Sequence, residues 1–435
     1  MVKFLYIYKK KGIHLSYQNL KYITMTIHLI TFAAPLQKQS SPRNTHEAIL
    51  SEIEKYYTIK FVDGQDINKL SDDDFKILFI ATGGVERMVI QHFEQLPRPA
   101  ILLADGMQNS LASALEISAW LRTHGIKSEI LHGELPAIIL RIHALYNNFR
   151  AQRALNGKRI GVIGTPSPWL IASNVDYLLS KRRWGIEYVD IPLDNVYDHF
   201  RKITDEEVGA SCAAVASQAL ACREGTPEDI IKAMRLYRAL RQVCKEERLD
   251  ALTLSCFKVL EQIDTTGYLA LSLLNDEGIV AGCEGDLQSV FTLLAAKAIT
   301  GKDGFMGNPS MVTARTNEIV LSHCTIGLKQ TDRYILRSHY ESDKGIAIQG
   351  LLPTGDVTIV KCGGECLDEY YLSTGTLTEN TNYINMCRTQ VRVRMDTPVD
   401  YFLKNPLGNH HILIQGNHAN ALNDFFQSNC CKRME

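Results

Sequence analysis

Two carboxylates stand two residues apart in the turn Cys283-Glu284-Gly285-Asp286. An apolar run, residues 278–283, precedes the turn. Apolar residues follow it at Leu287, Val290, Phe291, Leu294 and Ala298. That spacing marks one buried face of a helix, and Gly301 is placed to stop it. Glu284 and Asp286 therefore fall past a strand end and at a helix N-terminus, where open α/β sheets bind ligands. With Asn308 on a following loop and His323 on the next strand, the pair can hold a divalent cation. The local alternative makes Asp286 a helix N-cap and Glu284 a charge favoured by the helix dipole. Spacing alone favours the cap.

Further candidates lie elsewhere in the chain. In Gly408-Asn409-His410-His411, strand alternation puts His410 on the face of Ile412 and Ile414, and His411 on that of Leu413. The two side chains diverge, so one of them faces inward, as a metal ligand or as a core histidine bonded to backbone. Residues 338–345 carry His339, Glu341 and Lys344, and read as a solvated hairpin or as contributors to a site. Arg388 falls in an apparent strand, where it needs a buried partner or an anionic ligand. Trp169 follows the strand pattern at 158–164 and serves as a sugar platform or a domain contact. No GxSxG, HExxH, Walker or GxGxxG pattern occurs. The eleven cysteines include Cys362, Cys366, Cys387 and Cys430-Cys431 but no paired CxxC knuckles. They read as reduced thiols of a cytoplasmic protein.

Alternating elements must position these groups. Strand patterns at 27–32, 77–81, 100–104 and 128–132 alternate with helix patterns at 46–57, 85–93, 111–124 and 135–155, with a polar loop at 37–44. That order predicts a doubly wound parallel sheet. Asn156-Gly157 marks a boundary. A second α/β unit follows, with a helix start at Thr226-Pro227-Glu228-Asp229. Beyond it, short strands at 318–323, 334–339, 345–350, 357–362, 385–395 and 410–415 predict an antiparallel barrel or sandwich. The expected domains are 25–156, 157–304 and 305–435. Residues 1–24 show neither a period nor a targeting pattern and read as an extension or a disordered tail ahead of Met25. With 435 residues, several domains are expected. The formal net charge of −1 speaks against a nucleic-acid partner. No run of 18 apolar residues suggests a membrane span.

Taken in order, Cys283-Glu284-Gly285-Asp286, Phe305-Met306-Gly307-Asn308-Pro309, Leu321-Ser322-His323-Cys324 and Gly408-Asn409-His410-His411 resemble the L-fucose isomerase and L-arabinose isomerase superfamily. The resemblance implies a metal-dependent aldose–ketose isomerase that uses Mn²⁺ or another divalent cation. It implies Glu284 as carboxylate ligand and acid–base, Asp286 as second base or orienter, and His323 and His410 as ligands. Asn308 stands where the family places a second carboxylate. An amide oxygen can ligate a hard cation but brings no charge and takes no proton. The substrate would be a monosaccharide, met by Trp169, His339, Lys344, Arg388 and His411. The family's trimers or hexamers imply a homo-oligomer. Two other readings stand beside this one. One is a sugar-binding or regulatory protein on the same scaffold. The other is an isomerase of an anionic, for example sulfonated, hexose, with Arg388 or Lys344 meeting the anion.

Overall fold

The computed structural model describes residues 25–34 and 42–435. The reading of residues 1–24 as an extension lies outside them, as does most of the polar loop at 37–44. The chain divides into two compact units, one ending at Phe149 and one spanning Arg150–Glu435.

The first unit is an α/β layer structure. Its parallel sheet contains β1 (Thr26–Phe32), β2 (Thr58–Asp63), β3 (Lys76–Ile80), β4 (Ala100–Leu103) and β5 (Ser128–Leu131), in the order β2-β1-β3-β4-β5. Inner strands β3 and β4 are almost wholly apolar runs, as burial on both faces demands. Edge strand β2 is largely exposed and carries Lys60 and Asp63, so its weak pattern escapes a reading based on apolar runs.

The second unit holds another parallel sheet, order β7-β6-β8-β9, built from β6 (Arg159–Ile163), β7 (Glu187–Ile191), β8 (Ala251–Leu254) and β9 (Val280–Cys283). Helix Pro227–Glu246 begins at the Thr226 N-cap with a capping box to Asp229, as its sequence predicts. Helix Asp205–Gln218 has the same kind of start at Thr204 and Glu207 but lacks a strong apolar face, which conceals it.

After β9 the texture turns antiparallel. The barrel strands are β10 (Phe305–Thr313) and β11 (Glu318–His323), then, past hairpin β12 (Arg333–Arg337) and β13 (Ala347–Leu351), β14 (Gly355–Gly363), β15 (Glu369–Asn380), β16 (Thr389–Met395) and β17 (His411–Gln415). The order β14-β17-β10-β11-β16-β15 closes back on β14, giving a six-stranded antiparallel barrel. The short β18 (Lys432–Arg433) adds in parallel to β15. One apolar core runs from the second sheet into the barrel. Leu254, Phe291, Val360 and Ile412 all belong to it, and Trp184 is buried between Phe291 and Phe425.

Four local expectations need correction. Asn308 lies within strand β10, not on a loop; Gly307, Asn308 and Pro309 are poor strand formers, tolerated beside a bulge between Pro309 and Met311. Strand β15 was not expected, because Gly375 and the Thr-rich tail blur its alternation. Arg388 sits just before β16 rather than inside it. Cys256 and Cys283 form a disulfide where reduced thiols were expected throughout. Cys283 ends β9 and Cys256 opens the helix that follows neighbouring β8, a proximity that cysteine counting does not reveal. Among the described residues, no helix is long and apolar enough to cross a membrane.

Candidate metal and sugar site

The site begins at the end of β9. Glu284 and Gly285 both have left-handed backbones, with φ of 63° and 71°. Any side chain at Gly285 would meet Pro166 Cα at 2.5 Å, so only glycine lets the turn press against the loop after β6. Ser167 N donates to Glu284 O at 2.9 Å, and Gly285 N donates to Leu254 O at 3.2 Å. Three strand ends thus fix the Glu284 backbone. Its side chain, 13% exposed, accepts a hydrogen bond from Trp169 Nε1 at 2.9 Å through Oε2.

The other oxygen faces two imidazoles. Glu284 Oε1 lies 3.7 Å from His323 Nε2 and 3.6 Å from His410 Nε2. Both separations exceed hydrogen-bond length. Both Nε2 atoms are buried without a hydrogen-bond partner, and so is Asn308 Oδ1. One ligand atom each from Glu284, His323 and His410 lies within 4.8 Å of the others. Barrel topology supplies the convergence. β17, β10 and β11 are adjacent, and His410 immediately precedes the first, Asn308 lies in the second, and His323 ends the third. Asn308 pairs with Ser322, and Gly307 with His411, so the same register carried one residue on sets Asn308 beside His410.

Burial alone would raise the Glu284 carboxyl, but the two imidazoles outweigh it and hold it well below the usual carboxylate range. Burial pushes His323 down. For His410, burial is outweighed by Asp286 and Glu284, and the group is pushed up to about 9. The two rings are wired differently. His410 Nδ1 is 2.8 Å from Asp286 Oδ2, so the ring donates there and, once deprotonated, presents the Nε2 lone pair to the cluster. His323 Nδ1 accepts from Thr325 N at 3.2 Å, which places its proton on Nε2. Glu284 and the orphaned Asn308 oxygen suit a hard cation as they stand, and His410 joins them once its Nε2 proton leaves. His323 joins them once its proton moves and the Thr325 contact yields.

Asp286 lies behind His410 and is fully buried. It caps helix Leu287–Thr300, accepting from Ser289 N at 2.7 Å and Ser289 Oγ at 2.8 Å. It is thus a helix cap and also the partner of the candidate ligand His410. Its contacts support orientation rather than direct proton transfer to a substrate.

Aromatic rings form a row beside the cluster. Trp169 packs edge-on against Phe257 at 4.9 Å, Phe257 against His339 at 5.8 Å, and His339 lies 5.4 Å from Tyr268, whose ring is 6.4 Å from His323. Arg388 is held next to His339, donating to Ser338 O at 2.8 Å and Ser338 Oγ at 3.2 Å. Trp169, His339 and Arg388 are thus connected to the cluster through packing and chain neighbours. The Lys344 carbonyl accepts from His339 N at 3.0 Å, but its ammonium pairs with Asp264 at 2.7 Å on the surface. His411 turns away, with Nε2 on Tyr401 Oη at 3.0 Å. Burial, with the Lys361 charge, pushes it down to about 3. Sequence reasoning missed Phe257, Tyr268, Ser289 and Lys361. The one visible signal was Lys361, a lone charge in the apolar run 357–362.

The molecule thus combines two parallel-sheet α/β layers with a closed barrel, and sets a carboxylate–imidazole cluster at the end of β9. No known family profile matches the chain. It is similar to a sulfoquinovose isomerase from Clostridium sp. (strain MSTE9), with 27% identity over 194 residues. The match covers 44% of this chain and 43% of that protein, less than half of the relative's length.

Proposed function

We propose that this chain is a divalent-metal-dependent aldose–ketose isomerase that moves a carbonyl between C1 and C2 of a monosaccharide through an enediolate. The observation that carries the reading is the buried convergence of Glu284, His323 and His410. The partial similarity to sulfoquinovose isomerase supports the same reaction class. Glu284, His410 and Asn308, with His323 as the fourth group, would hold the cation, Mn²⁺ first among candidates. When bound, the cation supplies charge stabilisation for the enediolate oxygens.

The chain's own residues do the rest. Glu284 takes the proton from C2 and returns it to C1, while the hydroxyl proton passes from O2 to O1. The Trp169 indole N–H holds its second oxygen. Asn308 cannot carry a proton, so the shuttle falls to Glu284 alone. Trp169 and His339 are the aromatic groups placed to meet the sugar ring.

An anionic sugar is favoured among substrates by Arg388. Its side chain is 11% exposed, and among the described residues the one carboxylate within ion-pair distance is the highly exposed Asp343, at 3.9 Å. A guanidinium so placed suits a sulfonate or carboxylate on the substrate. Sulfoquinovose is therefore the first compound to assay, beside L-fucose and L-arabinose, each with Mn²⁺. Ketose formation from any of them supports the reading. Saturable sugar binding without ketose from any aldose would contradict it and favour a binding protein. Arg388→Met is expected to narrow the kcat/KM preference for an anionic over a neutral aldose by about tenfold. An unchanged ratio would remove Arg388 from substrate recognition.

A further inference from the structure

We infer that Lys361 is a positioning residue for His410, acting through Ser289 and Asp286. The inference rests on the metal reading above. Lys361 lies in β14, and its side chain is wholly buried. Nζ donates to Ser289 Oγ at 2.9 Å and lies 3.6 Å from Asp286 Oδ2. Ser289 Oγ donates to the same Oδ2 at 2.8 Å, and His410 Nδ1 meets it at 2.8 Å. One carboxylate oxygen therefore gathers a helix, a barrel strand and the residue just before β17.

A helix cap does not need this arrangement. An aspartate caps a helix by accepting backbone N–H groups, and Asp286 Oδ1 already does so from Ser289 N at 2.7 Å. The lysine engages the other oxygen, the one His410 uses. A buried ammonium is costly and persists where an anion balances it. Here the pair Lys361–Asp286 supplies that balance and fixes Oδ2 in place. With Oδ2 fixed, the His410 ring is set with Nε2 facing Glu284 Oε1 at 3.6 Å. Groups that orient a ligating histidine through its far nitrogen govern metal affinity without touching the metal.

The test uses the full chain freed of metal. Mn²⁺ binding is titrated calorimetrically for wild type, Lys361→Met and Ser289→Ala, and thermal unfolding of each is followed without metal. The Lys361→Met variant keeps the aliphatic stem and removes the charge. It is expected to raise the Mn²⁺ Kd by about tenfold or more, and Ser289→Ala by several-fold. A Kd within twofold of wild type in Lys361→Met, even with a lowered unfolding midpoint, makes the lysine structural and overturns the inference. If Lys361→Met does not fold, Ser289→Ala decides: an unchanged Kd overturns the inference and a raised one supports it. A wild-type protein that binds no Mn²⁺ overturns the functional reading itself, an outcome distinct from equal binding by wild type and variant.

Discussion

Glu284→Gln is expected to lower aldose–ketose turnover by about 10³-fold while leaving the fold intact. The substitution keeps side-chain length and removes the one group in the cluster that can both accept and return a carbon-bound proton. Neither imidazole offers an easy substitute: His410 already engages Asp286 through Nδ1, and the His323 proton sits on the nitrogen facing Glu284. Asn308, beside them in the barrel register, carries no proton. The turn itself is secured by backbone contacts to Ser167 and Leu254, so circular dichroism should match wild type. A loss of about 10³ corresponds to about 4 kcal/mol of transition-state stabilisation. The check is kcat measured with saturating Mn²⁺ and sugar. Turnover within threefold of wild type would take the proton transfer away from Glu284.

The largest stability effect is expected at Asp286. Asp286→Ala should destabilise the metal-free protein by roughly 3–5 kcal/mol, because it strands the fully buried Lys361 without an anion. Loss of the N-cap of helix Leu287–Thr300 adds to this, at about 1 kcal/mol. The carboxylate is ionised in the folded protein: burial would raise it, but Lys361 and His410 outweigh burial and hold it well below the usual range. The measurement is a denaturant titration of Asp286→Ala, Lys361→Met and the double variant. The double variant should be more stable than Asp286→Ala alone by at least about 1 kcal/mol, since it removes the unpaired ammonium. Strict additivity of the two single effects would show that lysine and aspartate do not stabilise one another.

Local geometry was legible at the β9 turn. An apolar strand, two acids around a glycine and a helical apolar spacing sufficed to place Glu284 at a strand end and Asp286 at a helix start. The layer order was equally readable, since continuous apolar runs and capping residues are local signals. The convergence of Asn308, His323 and His410 was not. It depends on which barrel strands are neighbours, and that order arises from pairings between residues more than a hundred apart, such as Phe305 with Leu413. Strand β10 was hidden by Gly307, Asn308 and Pro309, whose poor strand propensity is tolerated beside a bulge. The role of Lys361 was hidden for the opposite reason: a single lysine in a strand ordinarily points to solvent, and only the position of Asp286 turns it inward. His411 shows the value of alternation. The two adjacent histidines do diverge, but both are buried where one was expected to face inward: His410 lies beside Glu284 and His411 beside Tyr401.

The central claim is that Glu284, His323 and His410, with Asn308, hold a divalent cation on which sugar isomerisation depends. The most direct measurement is a Mn²⁺ titration of the metal-free full chain, with each titration point assayed for ketose formation from sulfoquinovose, L-fucose and L-arabinose. One tightly bound Mn²⁺ per chain is expected, with turnover of at least one aldose that rises in proportion to occupancy. Absence of saturable Mn²⁺ binding by folded protein, or full turnover without any metal, would contradict it.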